Sequence, residues 1–375
     1  MKTKIYLLTV LMCFAMVVPA QKYKYMIFEN WMENSWKMTY RTTNNYNSNG
    51  NLINDFDEEW NDETKIWKKI MIDIHTLNPD GTIKETLTEA WNDESNEWEA
   101  TSKTVYTYNA SKEILTETSQ IFFDTWIDYI KDIYTYDSNG KLTSMVIQSL
   151  DMFSGMVLKN SSQSLFSYNE DGTEKQIVDQ IWNSLNQWED ESRTINTYNN
   201  SKQLISDLSE NWVNNTWVND SKSTNTYNAN GTLKETIEEE WEEGNWIKKG
   251  KAIYSFNAKG DMESMVSQDW NITLNDWENK IRIRLEYTTG IQLVELAENT
   301  AVVYPNPFID QLTIENGALV ESGIDVFNST GQLVSSIKIT RPVTNLNLGS
   351  LKKGVYFMKI RSPQNEQTIK LLKAN

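Results

Sequence analysis

The side chains that could do chemistry in this chain of 375 residues are mainly carboxylates and indoles. The sequence holds 52 acidic residues and 15 tryptophans, but only one histidine and one cysteine. His75 stands alone and Cys13 lies in an apolar N-terminal segment, so neither supplies a paired base and nucleophile. No glycine-rich phosphate loop and no HExxH zinc motif occurs. The sequence therefore predicts a protein that is not an enzyme and that binds no cofactor or metal.

The carboxylates do not single out a catalytic pair, because they occur throughout the chain. An active site needs one unique set of groups, whereas repeats supply several similar ones. The formal net charge of −17 also disfavours binding to nucleic acid or to an anionic membrane. We therefore expect no nucleic-acid partner, and a polysaccharide-active enzyme remains only as a disfavoured alternative.

The first twenty residues have the form of a secretory signal peptide. Lys2 and Lys4 precede an apolar run, and Ala20 is a small residue suited to cleavage before Gln21. The run of about 14–16 residues is shorter than the roughly 20 that a spanning helix needs. Cleavage would remove Cys13, so we expect a mature chain without disulfides and without a transmembrane segment.

Beyond the leader, the tryptophans recur at fixed distances from a tyrosine-like residue, which we call the anchor. Successive anchors are separated by about 30 residues, a spacing typical of repeats. They are Tyr46, Leu77, Tyr108, Tyr136, Tyr168, Tyr198, Tyr227, Phe256 and Tyr287. An aromatic residue or a leucine occupies the fourteenth position after each anchor, and another occupies the tenth position before the next anchor. Only the number of residues between these two positions varies from repeat to repeat. Fixed intervals around one variable gap indicate rigid strands joined by a tolerant loop.

Each repeat is thus an ascending strand, a loop flanked by tryptophans, a descending strand and a tight turn. Glycines such as Gly231 occupy the fourth position after six anchors and suit a turn with positive φ, whereas Lys112 and Lys202 occupy that place in two copies. The pattern predicts an all-β fold over 21–290: a long antiparallel meander of about 18 strands in tandem repeats of about 30 residues. A sheet of that size must curl.

Two polar columns accompany the tryptophans. Glu or Gln occupies the twelfth position after the anchors, at Glu58, Glu89, Gln120, Gln148, Gln180, Glu210, Glu239 and Gln268, with Glu29 in the first strand. The fifth position before the anchors holds Arg41, Lys103, Lys131, Arg193, Lys222, Lys251 and Arg282, with Ile72 and Gln163 as exceptions. Strict alternation places the second column on the face opposite the tryptophans. We therefore expect the curl to enclose the aromatic face and to leave the basic face in solvent.

The tryptophans allow two interpretations. Indole faces can stack on sugar rings while neighbouring Glu or Gln side chains bind hydroxyls, so the loops would form a ligand platform. The candidate platform comprises Trp182, Trp188, Trp212, Trp217, Trp241, Trp246, Glu210 and Glu239. Cross-strand indole pairs can also close hairpins, with about 0.5–1.5 kcal/mol beyond burial. The two roles can coexist.

The stretch from Tyr134 to Leu142, YTYDSNGKL, resembles a YD (RHS-type) repeat, a family of long curling β-sheets. The resemblance covers about 22–290 and implies an extended sheet. The pair of tryptophans around a loop is not part of the usual YD pattern.

The repeat ends near residue 290, and a linker over 291–300 precedes short aliphatic strands over 301–375. This last segment closely resembles the C-terminal sorting domain of the type IX secretion system of Bacteroidota. The residues that carry the resemblance are Tyr304, Pro305, Asn306, Pro307, Gly331, Gly354, Val355, Tyr356 and Lys370. The resemblance implies a small β-sandwich that the outer-membrane export machinery recognises and often removes.

The two signals predict a protein that is secreted or displayed on the outer cell surface. Its expected role is non-catalytic binding or adhesion to glycan or another cell-surface polymer. A purely structural surface scaffold is the first alternative.

Overall fold

The structure is a computed structural model with two compact units. It describes residues 22–47, 49–152, 155–287, 301–304, 308–316, 322–339, 343–361 and 366–374. One unit combines Met1–Asn45 with Asn54–Tyr287, and the other combines Tyr46–Ile53 with Thr288–Asn375. The described residues form an all-β fold, and none of them belongs to a helix long and apolar enough to cross a membrane. The cleavage site at Ala20 and Gln21 lies outside the described residues.

The repeat array forms the predicted 18 strands. They are β1 Tyr23–Met32, β2 Ser35–Tyr46, β3 Leu52–Asn61, β4 Ile66–Leu77, β5 Ile83–Asn92, β6 Glu97–Tyr108, β7 Ile114–Phe122, β8 Trp126–Tyr136, β9 Leu142–Asp151, β10 Val157–Tyr168, β11 Glu174–Trp182, β12 Trp188–Tyr198, β13 Leu204–Val213, β14 Thr216–Tyr227, β15 Leu233–Glu242, β16 Asn245–Phe256, β17 Met262–Asn271 and β18 Asp276–Tyr287. Each strand neighbours the next in one antiparallel sheet, and β1 also pairs with β18 from Tyr23↔Tyr287 to Asn30↔Ile281. The meander therefore goes beyond the predicted curl and closes into a barrel.

Every descending strand contains one bulge, three positions after the loop-flanking residue. In β14, Ser221 pairs with Ser209 and Asn219 pairs with Glu210, so Asp220 has no partner on β13. The bulge residues are Thr39, Ile70, Thr101, Tyr129, Ser161, Glu191, Asp220, Lys249 and Lys280. A bulge bends its strand and increases the local twist. Repeated at one level of the sheet, the bulges supply the curvature that closure requires.

The bulges also overturn the predicted position of the basic column. Residues five apart on an unbroken strand face opposite ways, but the extra residue at Asp220 returns Lys222 to the side of Trp217. Lys222 pairs directly opposite Glu239. Tryptophans, the Glu/Gln column and the Arg/Lys column therefore share one side, which we call the tryptophan face.

The opposite side, which we call the acidic face, is the inside of the closed sheet. Its carboxylates are Asp55, Asp57, Asp73, Glu117, Asp132, Asp179, Asp207 and Glu238. Burial is the largest cause of the raised pKa of six of them, namely Asp57, Asp73, Glu117, Asp132, Asp207 and Glu238. Buried apolar residues of this unit, such as Tyr254, Met265 and Ile283, also lie on this side. The expectation that the aromatic face is enclosed is therefore wrong.

The tight turns confirm the predicted backbone and show what the anchors do. Gly231 has φ of 87° and donates its N–H to the carbonyl of Asn228 at 2.9 Å, and Lys202 adopts φ of 59° in the equivalent place. The Tyr227 hydroxyl donates to the carbonyl of Leu204 at 2.8 Å, at the start of the preceding ascending strand. Tyr108, Tyr136, Tyr168 and Tyr287 make the same bond in their own repeats. The anchors thus tie each turn to its neighbour.

The C-terminal unit consists of two small sheets. Its strands are β19 Ala301–Tyr304, β20 Gln311–Asn316, β21 Ser322–Asn328, β22 Leu333–Ile339, β23 Val343–Asn347, β24 Gly354–Arg361 and β25 Glu366–Lys373. The sheets have the orders β19-β20-β23 and β22-β21-β24-β25. Buried side chains from both sheets, including Ile314 and Val326, form one core. This arrangement confirms the predicted small sandwich.

The sorting-motif residues take structural positions in this unit. Gly331 has φ of 81° in the turn before β22, and Gly354 and Val355 begin β24. Tyr356 is buried and donates its hydroxyl to the carbonyl of Lys352 at 2.7 Å. Lys370 lies in β25 and Tyr304 ends β19, whereas Pro305, Asn306 and Pro307 lie outside the described residues.

Candidate binding surface on the tryptophan face

The loop-flanking tryptophans meet in cross-strand pairs that are tilted or edge-to-face. Ring centroids in these pairs are 4.7 to 5.2 Å apart. The pairs are Trp31–Trp36, Trp60–Trp67, Trp91–Trp98, Trp182–Trp188, Trp212–Trp217, Trp241–Trp246 and Trp270–Trp277. Trp98 is buried and the other indoles of these pairs are half-buried. Because every loop joins an ascending strand to a descending one, these pairs lie at one end of the closed sheet.

Basic side chains of the preceding repeat cover many of these rings. The Arg193 guanidinium lies 4.6 Å from the ring centroid of Trp217, and Lys222 Nζ lies 4.6 Å from that of Trp246. The same contact joins Arg41 to Trp67, Lys103 to Trp126 and Lys251 to Trp277. A cation at this distance is attracted by the quadrupole of the indole face. We call the repeated unit of cation, carboxylate and indole the ladder.

The carboxylate of each ladder unit comes from the Glu column. Glu210 Oε2 accepts from Arg193 Nε at 2.5 Å, and Glu239 Oε2 lies 2.7 Å from Lys222 Nζ. The Glu210 side chain is only 12% exposed. The pair is therefore partly desolvated, and its charges interact more strongly than those of an open surface pair.

The ladder continues across the seam where the sheet closes. Arg282 of β18 pairs with Glu29 of β1 at 2.5 Å, and its guanidinium lies 4.9 Å from the ring centroid of Trp36 in β2. Burial raises the pKa of Glu29, but its bonds to Arg282 and Arg284 outweigh that effect and lower the pKa overall. The last repeat therefore meets the first with the same contacts that join the interior repeats.

Some repeats in the described part of the chain depart from this pattern. Ile72 replaces the cation before Trp98, and Lys69 instead lies 4.5 Å from Trp91. Lys131 keeps the cation, but Leu158 occupies the place of the indole. Gln163 replaces the cation before Trp188.

In the repeat that contains Gln163, amides replace both the cation and the carboxylate of the ladder unit. Gln163 donates its amide N–H to Gln180 at 2.5 Å, and Gln180 donates in turn to Asp190 at 2.7 Å. Within the described residues, neither Trp182 nor Trp188 has a basic side chain over its ring. The ring centroids of the two indoles are 4.7 Å apart.

The residues of the predicted platform thus differ in whether a cation covers their rings. Trp217 and Trp246 each have a ring occupied by a cation, and Glu210 and Glu239 are held in ion pairs. Trp212 packs against Trp217 in a tilted arrangement, and Trp241 packs edge-to-face against Trp246. Among these three pairs, Trp182–Trp188 is the one in which neither ring carries a cation in the described part of the chain. The sequence analysis identified the cations but placed them on the other face, and so it missed their contacts with the indole rings. The fifth position before an anchor and the twelfth position after it lie opposite each other across the tight turns.

The acidic face offers fewer features of a binding site. His75 is buried, with Nδ1 2.9 Å from the Thr86 hydroxyl and Nε2 3.1 Å from Asp55 Oδ1. No group of three or more His, Cys, Asp or Glu side chains among the described residues is placed to hold a metal ion. Burial raises the pKa of Glu238 to about 7, with further increases from Asp207, Asp269 and Glu240.

Removal of one ladder cation should destabilise the protein. We expect Arg193→Ala to lower the free energy of unfolding by roughly 1–3 kcal/mol, because it removes a cation–indole contact and leaves Glu210 without its partner. Chemical denaturation measures this effect. The matched control is Lys131→Ala, since Lys131 stands in the same column but makes no ion pair or ring contact within the described residues. Equal effects of the two substitutions would contradict the ladder.

The charge of Glu238 should make stability depend on pH. The unfolded carboxyl loses its proton near pH 4.5 and the folded one near pH 7, so stability falls as the pH rises between these values. We expect Glu238→Gln to be more stable than the parent at pH 8 by roughly 1–3 kcal/mol and equal to it at pH 4. Thermal unfolding at both pH values tests this, with exposed Glu243→Gln as the control. A stabilisation that does not change with pH would refute it.

Comparison with known proteins assigns the C-terminal segment. Residues 302–374 match the family model of the secretion system C-terminal sorting domain. A curated relative, beta-agarase A of Zobellia galactanivorans, is 32% identical over 85 residues, which are 22% of this chain and only 15% of the agarase. The chain therefore spans a small part of that relative.

The solved structures that resemble the chain are distant. A porin-like protein from Bacteroides uniformis is 11% identical, with 72% of this chain and 99% of that chain covered and a TM-score of 0.38. PorZ, a surface component of the type IX secretion system of Porphyromonas gingivalis, is 8% identical, with 86% and 80% covered and a TM-score of 0.20. TM-scores this low do not establish a shared fold. The family match shows that residues 302–374 form a type IX sorting domain and that the protein is exported to the cell surface or secreted.

Proposed function

We propose that this exported protein is a non-catalytic binding protein that adheres to glycan or another cell-surface polymer through the loop end of its closed sheet. The observation that carries the proposal is the gathering of half-buried indole pairs around one end, beside loops of variable length. Variable loops on a rigid frame are where binding specificity commonly lies. A series of similar aromatic sites suits a polymer, because several weak contacts along one chain add up to useful avidity.

The surroundings of the ionisable groups in the described residues support a non-catalytic role. His75 is bonded on both ring nitrogens and lies on the inside of the sheet, away from the loop end. The carboxylates of the Glu column repeat in one form around the sheet, and several are held by Arg or Lys. A glycosidase needs one carboxylate pair with distinct acid and base environments.

A purely structural scaffold is the second candidate, and the ladder favours it. Cations that occupy indole faces stabilise the sheet but leave those faces unable to stack on a sugar. In this alternative the tryptophans hold neighbouring repeats together and the protein serves as a spacer on the surface.

Affinity electrophoresis separates the two candidates. The mature full-length chain is run through gels that contain laminarin or mannan, which are neutral polysaccharides, or alginate or polygalacturonate, which are acidic ones. The proposal predicts retarded migration in at least one of these gels relative to a non-binding protein of similar charge. Unchanged migration in every gel would leave the scaffold as the better account.

A further inference from the structure

We infer that one sector of the loop end, formed by β7–β12, is the binding site and that its ligand is a neutral polysaccharide. This inference rests on the proposed function and names where and what the protein binds. We call the region the amide sector, after the glutamines at the ladder positions of its strands. They are Gln120, Gln148, Gln163 and Gln180.

The first observation is the uncovered indole pair. In most repeats a cation lies over the descending tryptophan, as Arg193 does over Trp217. In the amide sector Gln163 takes the place of that cation, and no basic side chain of the described residues lies over Trp182 or Trp188. Both indoles are half-buried, so part of each ring meets solvent. A free aromatic face is what a pyranose ring needs for stacking.

The second observation is the chemistry beside these rings. The amides of Gln163 and Gln180 form a chain of hydrogen bonds that ends on Asp190. An amide offers both donors and acceptors, as a pair of sugar hydroxyls does, and it needs no counterion. Gln148 continues the uncharged row through a bond to Asn160 at 3.0 Å.

The third observation is the exposure of apolar side chains on three adjacent loops. Phe123 of the β7–β8 loop is 64% exposed, Met152 of the β9–β10 loop 70%, and Leu185 of the β11–β12 loop 74%. The loops β5–β6 and β15–β16 instead carry carboxylates, among them Glu94 and Glu243, whereas the β17–β18 loop also exposes apolar side chains. An exposed apolar patch of this kind marks an interaction site.

Charge and size select the class of ligand. A protein with a net charge of −17 repels acidic polymers, and at the Trp182–Trp188 pair Gln163 takes the place of the basic residue that covers the ring in other repeats. Six strands at about 4.8 Å spacing give the sector a width of roughly 25 Å, which fits an extended chain better than a single sugar. The ligand is therefore a neutral polysaccharide.

The sharpest test restores the ladder in this sector. The triple variant Gln163→Arg, Gln180→Glu and Asp190→Asn places in the amide sector the residues that Arg193, Glu210 and Asn219 supply in the next repeat. The new arginine should cover Trp188, so we expect at least a tenfold loss of affinity for laminarin or mannan and no loss of thermal stability. Loss of affinity in a variant that unfolds at or above the parent temperature cannot come from misfolding.

Two further variants complete the test. Leu185→Asp changes an exposed loop residue, so it should leave folding intact and weaken binding of the same neutral polysaccharide. Arg193→Gln with Glu210→Gln uncovers Trp217 in the neighbouring repeat and should preserve or increase that binding.

The outcomes distinguish the inference from the proposed function. If the parent binds laminarin or mannan and the ladder-restoring variant binds equally well, the amide sector is not the site, although the protein still binds polymer. If the parent binds alginate or polygalacturonate more tightly than laminarin or mannan, the inference of a neutral ligand is wrong, although the protein still binds polymer. If the parent binds none of the four polymers, both the inference and the proposed function fail.

Discussion

The bulge in every descending strand is the constraint on which the rest of the structure depends. Side chains alternate between the two faces along a regular strand. Trp217 and Lys222 are five positions apart, so without the bulge they would lie on opposite faces. With Asp220 unpaired, both side chains lie on the outside and Lys222 reaches the carboxylate of Glu239 and the ring of Trp246. The same distortion bends the strand, and its repetition at one level brings β18 to β1. Each of these bulges thus contributes both to the curvature and to the ladder.

The two faces of the closed sheet divide the stabilising interactions between them. Outside, cations bridge consecutive repeats, and the contacts of Arg282 with Glu29 and Trp36 repeat this arrangement at the seam. Inside, carboxylates such as Asp207 and Glu238 have pKa values raised by burial, beside hydroxyl groups and a small apolar cluster. Each outer contact holds neighbouring strands together with modest strength. Because β1 pairs with β18, the repeat sheet has no free strand edge within the described residues at which other chains could add. A protein that works outside the cell without disulfides benefits from both.

The sequence predicted the features that depend on fixed spacing. The number of strands, the paired tryptophans, the positive φ of Gly231 and the C-terminal sandwich followed from counted intervals and motifs. The faces were assigned wrongly because a bulge has no residue signature: Thr39, Glu191 and Lys280 occupy equivalent positions. Closure was also not predictable, since it depends on the sum of small bends rather than on any one residue. The amide sector was visible only as Gln163, an exception whose meaning required the ladder to be seen first.

Deletion of Asp220 tests the central claim most directly, with Asp220→Ala as a control that keeps the residue count. Without the bulge, Trp217 and Lys222 cannot both face outward while β14 keeps its register with β13 and β15. The account predicts that the deletion lowers the free energy of unfolding by roughly 3 kcal/mol or more, since it breaks a ladder unit and reverses the facing of the residues on one side of the deletion, whereas the substitution changes it by less than about 1 kcal/mol. If chemical denaturation shows the two variants to be equally stable, the bulge does not set the faces of the sheet, and the account is contradicted.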